Sequence, residues 1–497
     1  MNINKQEFRD KVLGCWMGKN AGGTLGAPME WYRGINDVTF YQQGLDGNPL
    51  PNDDLDIQLL WLIALEEQGI HLNARTLGDY WMNFVTPYWA EYGAAKINMK
   101  SGLLPPFSGS VDNVFKDSCG CFIRSEIWAC IAPGCPDLAV KYAYEDGIID
   151  HGDGEGVYAE IFIAAIQSAA FVESDIRKLI DIGLSYIPEE CAVAGATKLA
   201  IKLFEEGKPL LESRDEMIRQ YMGGFLAGIS PEDVEKGFDK GKLGFDVPDN
   251  IGIIILGLLH GGLDFGKTLC LTVNCGEDTD CTAATVGAIL GIINGYSGIP
   301  KKWIDPIGTG IVTACLNLGD LGEYGKMVPT DIFALTERTI NMACKVLDGN
   351  GMQMKISENP TDLSGLTSES LTIGPNGKFI LEHWDGGVFK FDFFNVYVQY
   401  PDGVHIAPNK EVRVDIKVEN TYRIPERIRV KLYTDDAVFV SPKKASAYLL
   451  NEYNGGVGQF CFTLLAEEIN GDKVRGVIEI TMDGRATVMH VPIVFIV

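Results

Sequence analysis

The chain has 497 residues, 46% of them hydrophobic, and a formal charge of −25 at pH 7. That length exceeds what one hydrophobic core usually organises, so two domains are expected. A chain this acidic repels a nucleic-acid backbone or an anionic membrane surface within a Debye length, which leaves small ligands and metal cations as its natural partners.

The first stretch, MNINKQEFRDKVLGCWMGKN, lacks the basic-then-apolar order of a signal peptide. A cytoplasmic setting, with reduced and mostly buried thiols, is therefore expected for the twelve cysteines. Next, in GKNAGGTLGAPME, Gly18, Gly22, Gly23 and Gly26 allow close backbone approach before the segment ends at Pro28 and Glu30. That approach is either helix to helix or backbone to ligand. The pattern is not G-x-G-x-x-G and no strand precedes it, so a dinucleotide fold is unsupported.

In PNDDLDIQLLWL, Asn52, Asp53, Asp54 and Asp56 lead directly into an apolar helix, read over Asp56 to Gly69. Cys119 and Cys121 form a C-x-C without a second matching pair, a poor match to structural zinc. Further helices are read over Gly156 to Val172 and Ala194 to Gly207. The most apolar run, Ile251 to Leu263, is well short of the roughly 20 residues of a membrane span and reads as a core helix.

VNCGEDTDCTAATVGAILG then places Glu277, Asp278 and Asp280 within four positions, ahead of a helix read over Thr282 to Tyr296. Like charges about 4 Å apart repel by about 4 kcal/mol at an effective dielectric of about 20, so something positive must compensate. Both acid groups share one grammar, with acids on the opening turn and apolar residues after it. Asp and Asn are good N-caps, and acids in a first turn oppose the helix dipole, but capping accounts for only one or two acids per helix. If the two helix starts converge, Asp53, Asp54, Asp278 and Asp280 give four carboxylates to one space, a donor set suited to Mg²⁺ or Mn²⁺. Two ions approach neutrality there better than one.

Near Asp348 the texture changes. Asp348 to Gly377 is polar and turn-rich, and alternating Val, Ile, Phe and Tyr segments follow, as in a β-sandwich of roughly 120 residues. The expected organisation is a helical domain over 5–350, a linker over 351–375 and a sandwich over 376–497. Tyr397 and Tyr400 on its strands are read as core or cross-strand partners rather than a sugar platform.

Three of these segments, in this order, resemble the ADP-ribosylglycohydrolase family. NDDL at Asn52 to Leu55 is similar to the family's T-D-D-T, and DTDCTAATVGAILG to its D-T-D-T/N with a following G-A-I-x-G helix. GGTLGAPME is similar to its Gly-rich stretch ending in Glu. DSCGCFIRSEIWACIAPGCP resembles its G-x-G-x-x-x-R loop, which places Ser118, Gly120 and Arg124 on it, and IIDHGDGEGVYAEIFIAAI points to His151. The resemblance runs from Phe8 to Trp303 and excludes the β-rich tail.

Together with the sandwich read from the strand pattern, it implies a multidomain chain, with a large all-α ADP-ribosylglycohydrolase-like domain followed by that sandwich. It also implies hydrolysis of an N- or O-glycosidic bond in an ADP-ribosyl or related ribosyl conjugate, either a small molecule or a protein. Two Mg²⁺ ions, or Mn²⁺, would be held by Asn52, Asp53, Asp54, Asp278, Asp280 and Cys281. Glu30, Asp54 and Asp280 would be catalytic, and Ser118, Cys119, Gly120 and His151 would bind substrate. Four departures bear on substrate and activity: Asn52 and Leu55 stand where the family has Thr, Ser118 where it has Gly, and Cys281 where a hydroxyl or amide usually ligates. A thiol is a poor Mg²⁺ ligand. The alternatives are a non-catalytic binder of an ADP-ribose-like nucleotide, or a structural helical protein whose acids are caps and whose sandwich contacts carbohydrate.

Overall fold

The computed structural model describes residues 1–222, 228–239, 246–316, 321–382, 386–422, 424–435, 437–486 and 488–497. It divides into two units, Met1–Lys96 with Asp112–Glu382, and Ile97–Val111 with His383–Val497.

Five helices build the centre of the first unit: α1 (Lys5–Gly26), α2 (Asp53–Gln68), α3 (Glu155–Ala170), α4 (Val247–Gly261) and α5 (Thr279–Asn294). α2 and α5 each begin three residues before the apolar run that announces them. Asp53, Asp54 and Asp56 thus lie inside the first turn of α2 and Asp280 inside that of α5, where the helix dipole favours negative charge. α5 is buried nearly all round, enclosed by α1, α3, α4 and the Phe265–Val273 helix. Such a helix needs no polar face, which explains TAATVGAILGII.

α1 and α5 run antiparallel with their backbones in contact. A Cβ added at Gly14, Gly18, Gly22 or Gly26 would fall 2.1, 1.9, 2.1 or 2.2 Å from the carbonyl oxygens of Gly291, Gly287, Ala283 and Thr279 respectively. The four-residue glycine spacing therefore lines one helix face, and of the two uses expected for it, this seam is helix to helix. It sets the end of α1, and so Glu30, beside the start of α5.

The first unit also holds two short parallel strand pairs, Asn2–Asn4 with Lys355–Ser357 and Tyr32–Arg33 with Gly228–Ile229. It is thus helical but not purely so. Residues 351–375 carry one of those strands and the Ser368–Leu371 helix, and they group with the first unit, as does the Pro375–Glu382 helix. None of the twelve cysteines forms a disulfide. Among the described residues no helix is long and apolar enough to cross a membrane.

The second unit is a β-sandwich of nine strands among the described residues: β1 (Gly387–Lys390), β2 (Phe394–Gln399), β3 (Glu411–Asn420), β4 (Glu426–Thr434), β5 (Val438–Ser441), β6 (Ala445–Leu449), β7 (Val457–Ala466), β8 (Lys473–Met482) and β9 (Val488–Ile496). One antiparallel sheet has the order β1-β2-β3-β7-β5 and the other β6-β4-β8-β9. Alternate residues such as Val412, Val414, Ile416 and Val418 on β3 and Val474, Ile478 and Ile480 on β8 fill the core between them. Tyr397 is buried and Tyr400 packs against the core, so neither is an exposed platform. Leu103 joins Val404 and Val494 in a small apolar cluster, which ties Ile97–Val111 to this unit.

Candidate functional site

The two helix starts do not use their carboxylates as caps. At α2 the cap is Asn52, whose Oδ1 accepts the Asp54 N–H at 2.7 Å. At α5 the N-cap residue is Asp278, and its side chain makes no capping bond. Asp56 turns elsewhere, its Oδ2 accepting the N–H groups of Ala314, Cys315 and Leu316 at 2.6, 2.6 and 3.1 Å. Glu277 also leaves the cluster. With φ at 68°, it points its carboxylate at Arg33, which donates to both oxygens at 2.6 and 2.9 Å. The acid crowding of GEDTD is therefore split, one acid to an arginine and two to a shared space.

That shared space joins segments more than two hundred residues apart. Ligating atoms of Asp54, Asp280 and Cys281 lie within 4.8 Å of one another, as do those of Glu30, Asp278 and Asp280. Asp280 belongs to both groups. Asp54 is 1% exposed and Asp278 and Asp280 are 4% exposed, yet Asp278 Oδ1 and Asp280 Oδ1 accept no hydrogen bond, and Asp54 Oδ2 is met by the Lys19 ammonium at 3.5 Å. Buried carboxylate oxygens without partners are costly and call for a cation. Asp53 stands at the edge, accepting from the Tyr92 hydroxyl at 3.2 Å.

The electrostatics carry the same strain. Partial desolvation of its carboxyl, which turns into the cluster from an otherwise exposed residue, and then Asp280, Asp53 and Asp54, push Glu30 up to about 9. Burial, outweighing the hydrogen bond from Asp278 and assisted by Asp53, brings Asp280 to about 6. Asp54 and Asp278 are raised by burial and by neighbouring acids. Hard oxygen donors crowded in this way fit a divalent cation, and Glu30, Asp54, Asp278 and Asp280 are the carboxylates present to hold one.

One positive charge is supplied by the chain itself. Lys19, buried within α1, lies 3.5 Å from Asp54 Oδ2 and 3.2 Å from Glu126 Oε1, and donates to the Ile123 carbonyl at 2.5 Å. Burial lowers its pKa, but Glu126 and Asp54 outweigh that and raise it, so it stays charged. Gln58 and Gln167 donate to Glu126 at 2.8 and 2.9 Å, completing a buried network beneath Asp54. The sequence reading misses Lys19. Its one signal is its position among glycines spaced by four.

The loop after Asp117 lies alongside. The Cys119 thiol donates to the Asp246 carbonyl at 3.9 Å, whereas Cys121 donates to Glu160 at 2.7 Å, so the two thiols of the C-x-C pair have different partners. A Cβ on Gly120 would meet Glu91 Oε1 at 1.8 Å, which gives this glycine a packing reason. Ser118 Oγ is 3.2 Å from His151 Nε2, and His151 Nδ1 is 3.0 Å from Asp150 Oδ1. Ser118, Asp150 and His151 are all fully buried. Arg124 anchors the whole loop, donating to the Gly120 carbonyl and pairing with Asp146 at 2.9 Å and Asp150 at 2.5 Å. Glu91, Tyr92, Glu126 and Asp150 are further members of these networks that no motif announces.

Comparison with known proteins places the helical unit in a family. A family model described as ADP-ribosylglycohydrolase matches residues 4–330. An uncharacterised protein of Archaeoglobus fulgidus is 22% identical over 315 residues, covering 60% of this chain and 92% of that protein. A shorter segment of 44 residues is 46% identical to ADP-ribosylarginine hydrolase Tri1 of Serratia proteamaculans, covering 9% of this chain and 12% of that one.

Proposed function

The chain belongs to the ADP-ribosylglycohydrolase family, and from that premise we propose that it hydrolyses the N- or O-glycosidic bond joining an ADP-ribosyl or related ribosyl group to a small molecule or protein. One observation carries the reading: carboxylates from two distant helix starts meet in one buried space with oxygens left unpartnered. The segment shared with an ADP-ribosylarginine hydrolase supports the ADP-ribosyl substrate class.

In this reading Asn52, Asp53, Asp54, Asp278, Asp280 and Cys281 hold two divalent ions, Mg²⁺ or alternatively Mn²⁺. Ions of that kind supply Lewis acidity to a bound water and anchor ribose hydroxyls. Glu30, exposed at the rim of the cluster, orients the attacking water toward the anomeric carbon as positive charge develops on the sugar. Asp54 and Asp280 keep the donor groups fixed, and Lys19 holds Asp54 from behind. Cys119 and Gly120 bind the substrate's phosphates through their backbone N–H groups, and Ser118, whose own N–H donates to the Phe115 carbonyl at 2.9 Å, holds the turn that presents them. His151, buried between Ser118 and Asp150, positions that loop.

The test is release of free ADP-ribose, followed by chromatography, from a panel of N- and O-linked ADP-ribosyl conjugates given to the Mg²⁺- or Mn²⁺-loaded chain. Asp54→Ala and Asp280→Ala are expected to abolish release while leaving far-ultraviolet dichroism unchanged. Mg²⁺ at about 100 times its Kd is expected to stabilise the parent by about 2.7 kcal/mol, and Asp280→Ala far less. Absence of turnover on every conjugate would overturn the reading.

A further inference from the structure

The two groups of ligating atoms differ in chemistry. Glu30, Asp278 and Asp280 offer oxygen alone, whereas Asp54, Asp280 and Cys281 offer two carboxylates and a sulfur. We propose that Asp54, Asp280 and Cys281 form a thiolate-containing position that takes a borderline-soft divalent ion, of which Zn²⁺ is the type, beside an all-oxygen position for Mg²⁺ or Mn²⁺. The inference rests on the metal-site reading above and specifies which ion each half prefers.

Three observations point the same way. Cys281 donates a hydrogen bond from Sγ to Asp54 Oδ1 at 3.6 Å, so the thiol proton lies between the two atoms that an ion would join. Asp280 Oδ1 is a buried oxygen without a hydrogen-bond partner, while Asp54 Oδ2 is met by the Lys19 ammonium at 3.5 Å and leaves Oδ1 to face the ion. The Sγ of Cys281 and a carboxylate oxygen from each of Asp54 and Asp280 all lie within 4.8 Å of one another, and all three residues are buried, so a single ion can touch all three. Thiolate ligands disfavour Mg²⁺ and favour Zn²⁺, for which two carboxylates and one sulfur leave a fourth, open position of the kind found in catalytic zinc centres. On binding, the S–H bond is replaced by a sulfur–metal bond and one proton passes to solvent, with no change of oxidation state.

Cobalt(II) is the probe, titrated into the metal-free full-length chain. The expected result is a near-ultraviolet sulfur-to-cobalt band that is lost in Cys281→Ser, kept in Cys119→Ser, and bleached by equimolar Zn²⁺ but not by a large excess of Mg²⁺. Zn²⁺ affinity should fall on the order of 10- to 100-fold or more in Cys281→Ser. A measurement independent of any variant is X-ray absorption of the parent with one equivalent of Zn²⁺, expected to show a sulfur shell at about 2.3 Å. A zinc shell of oxygen and nitrogen alone, or a cobalt band that survives in Cys281→Ser, would overturn this inference while stabilisation by Mg²⁺ still upheld the metal-site reading. Failure of every divalent ion to bind would overturn both.

Discussion

Lys19 stands in a run of Gly, Ala and Thr, where a lone lysine ordinarily reads as a solvent-facing residue. Only the spacing of Gly14, Gly18, Gly22 and Gly26 around it reveals that this stretch of helix has no solvent face. Lys19→Met would leave Asp54 and Glu126 buried without their cation, at an expected cost of about 3–5 kcal/mol, read from urea unfolding at neutral pH. Asp150 makes a different kind of claim. Burial raises its pKa, but Arg124 and His151 outweigh that and hold it below the ordinary 3.8. A carboxyl whose folded pKa is depressed contributes stability that is fully present above its unfolded pKa and is lost as pH falls through the folded one. Acid unfolding should therefore steepen below pH 3.8, and Asp150→Asn should flatten that slope in urea melts run at successive pH values, although its overall stability will be lower. The acids of NDDLD and GEDTD are legible as a group, but their individual fates are not. Asp56 and Glu277 leave the cluster for partners at 314–316 and Arg33, which lie far away along the chain.

The helix starts are the element on which the site depends, and their approach is set by the seam between α1 and α5. A methyl on Gly18 would meet a carbonyl oxygen at 1.9 Å, and main-chain atoms cannot rotate aside as a side chain can. Gly18→Ala is expected to cost about 1–3 kcal/mol or more and to lower turnover by shifting Glu30 from Asp280. Gly44→Ala, where an added Cβ meets nothing within 4 Å, should stay within about 0.5 kcal/mol, with thermal melts comparing the two. Helices and strands are largely legible because period 3.6 and period 2 survive in single segments such as TAATVGAILG and EVRVDIKVEN. Their first turns are less so, since a helix that opens on acids hides its start from an apolar pattern. α2 and α5 accordingly begin earlier than their apolar residues suggest.

Across the whole molecule the negative charge is uneven. Nearly all of the formal −25 falls in the helical unit, while acidic and basic residues almost balance in the sandwich unit. The change of texture near Asp348 is legible for that reason as well as for its strands. The grouping of Ile97–Val111 with the sandwich is not, because it depends on Leu103 meeting Val404 and Val494, contacts between residues more than three hundred positions apart that no local pattern encodes. The glycine seam carries a consequence for ion choice. Two main chains pressed together act as a rigid jaw, so the aperture between Glu30 and the start of α5 cannot widen to suit a larger ionic radius. Mg²⁺ takes oxygen at about 2.0–2.1 Å and Ca²⁺ at about 2.3–2.6 Å, so calcium should raise the melting temperature less than magnesium at equal concentration, and a Gly18→Ala chain, its jaw sprung, should lose that discrimination.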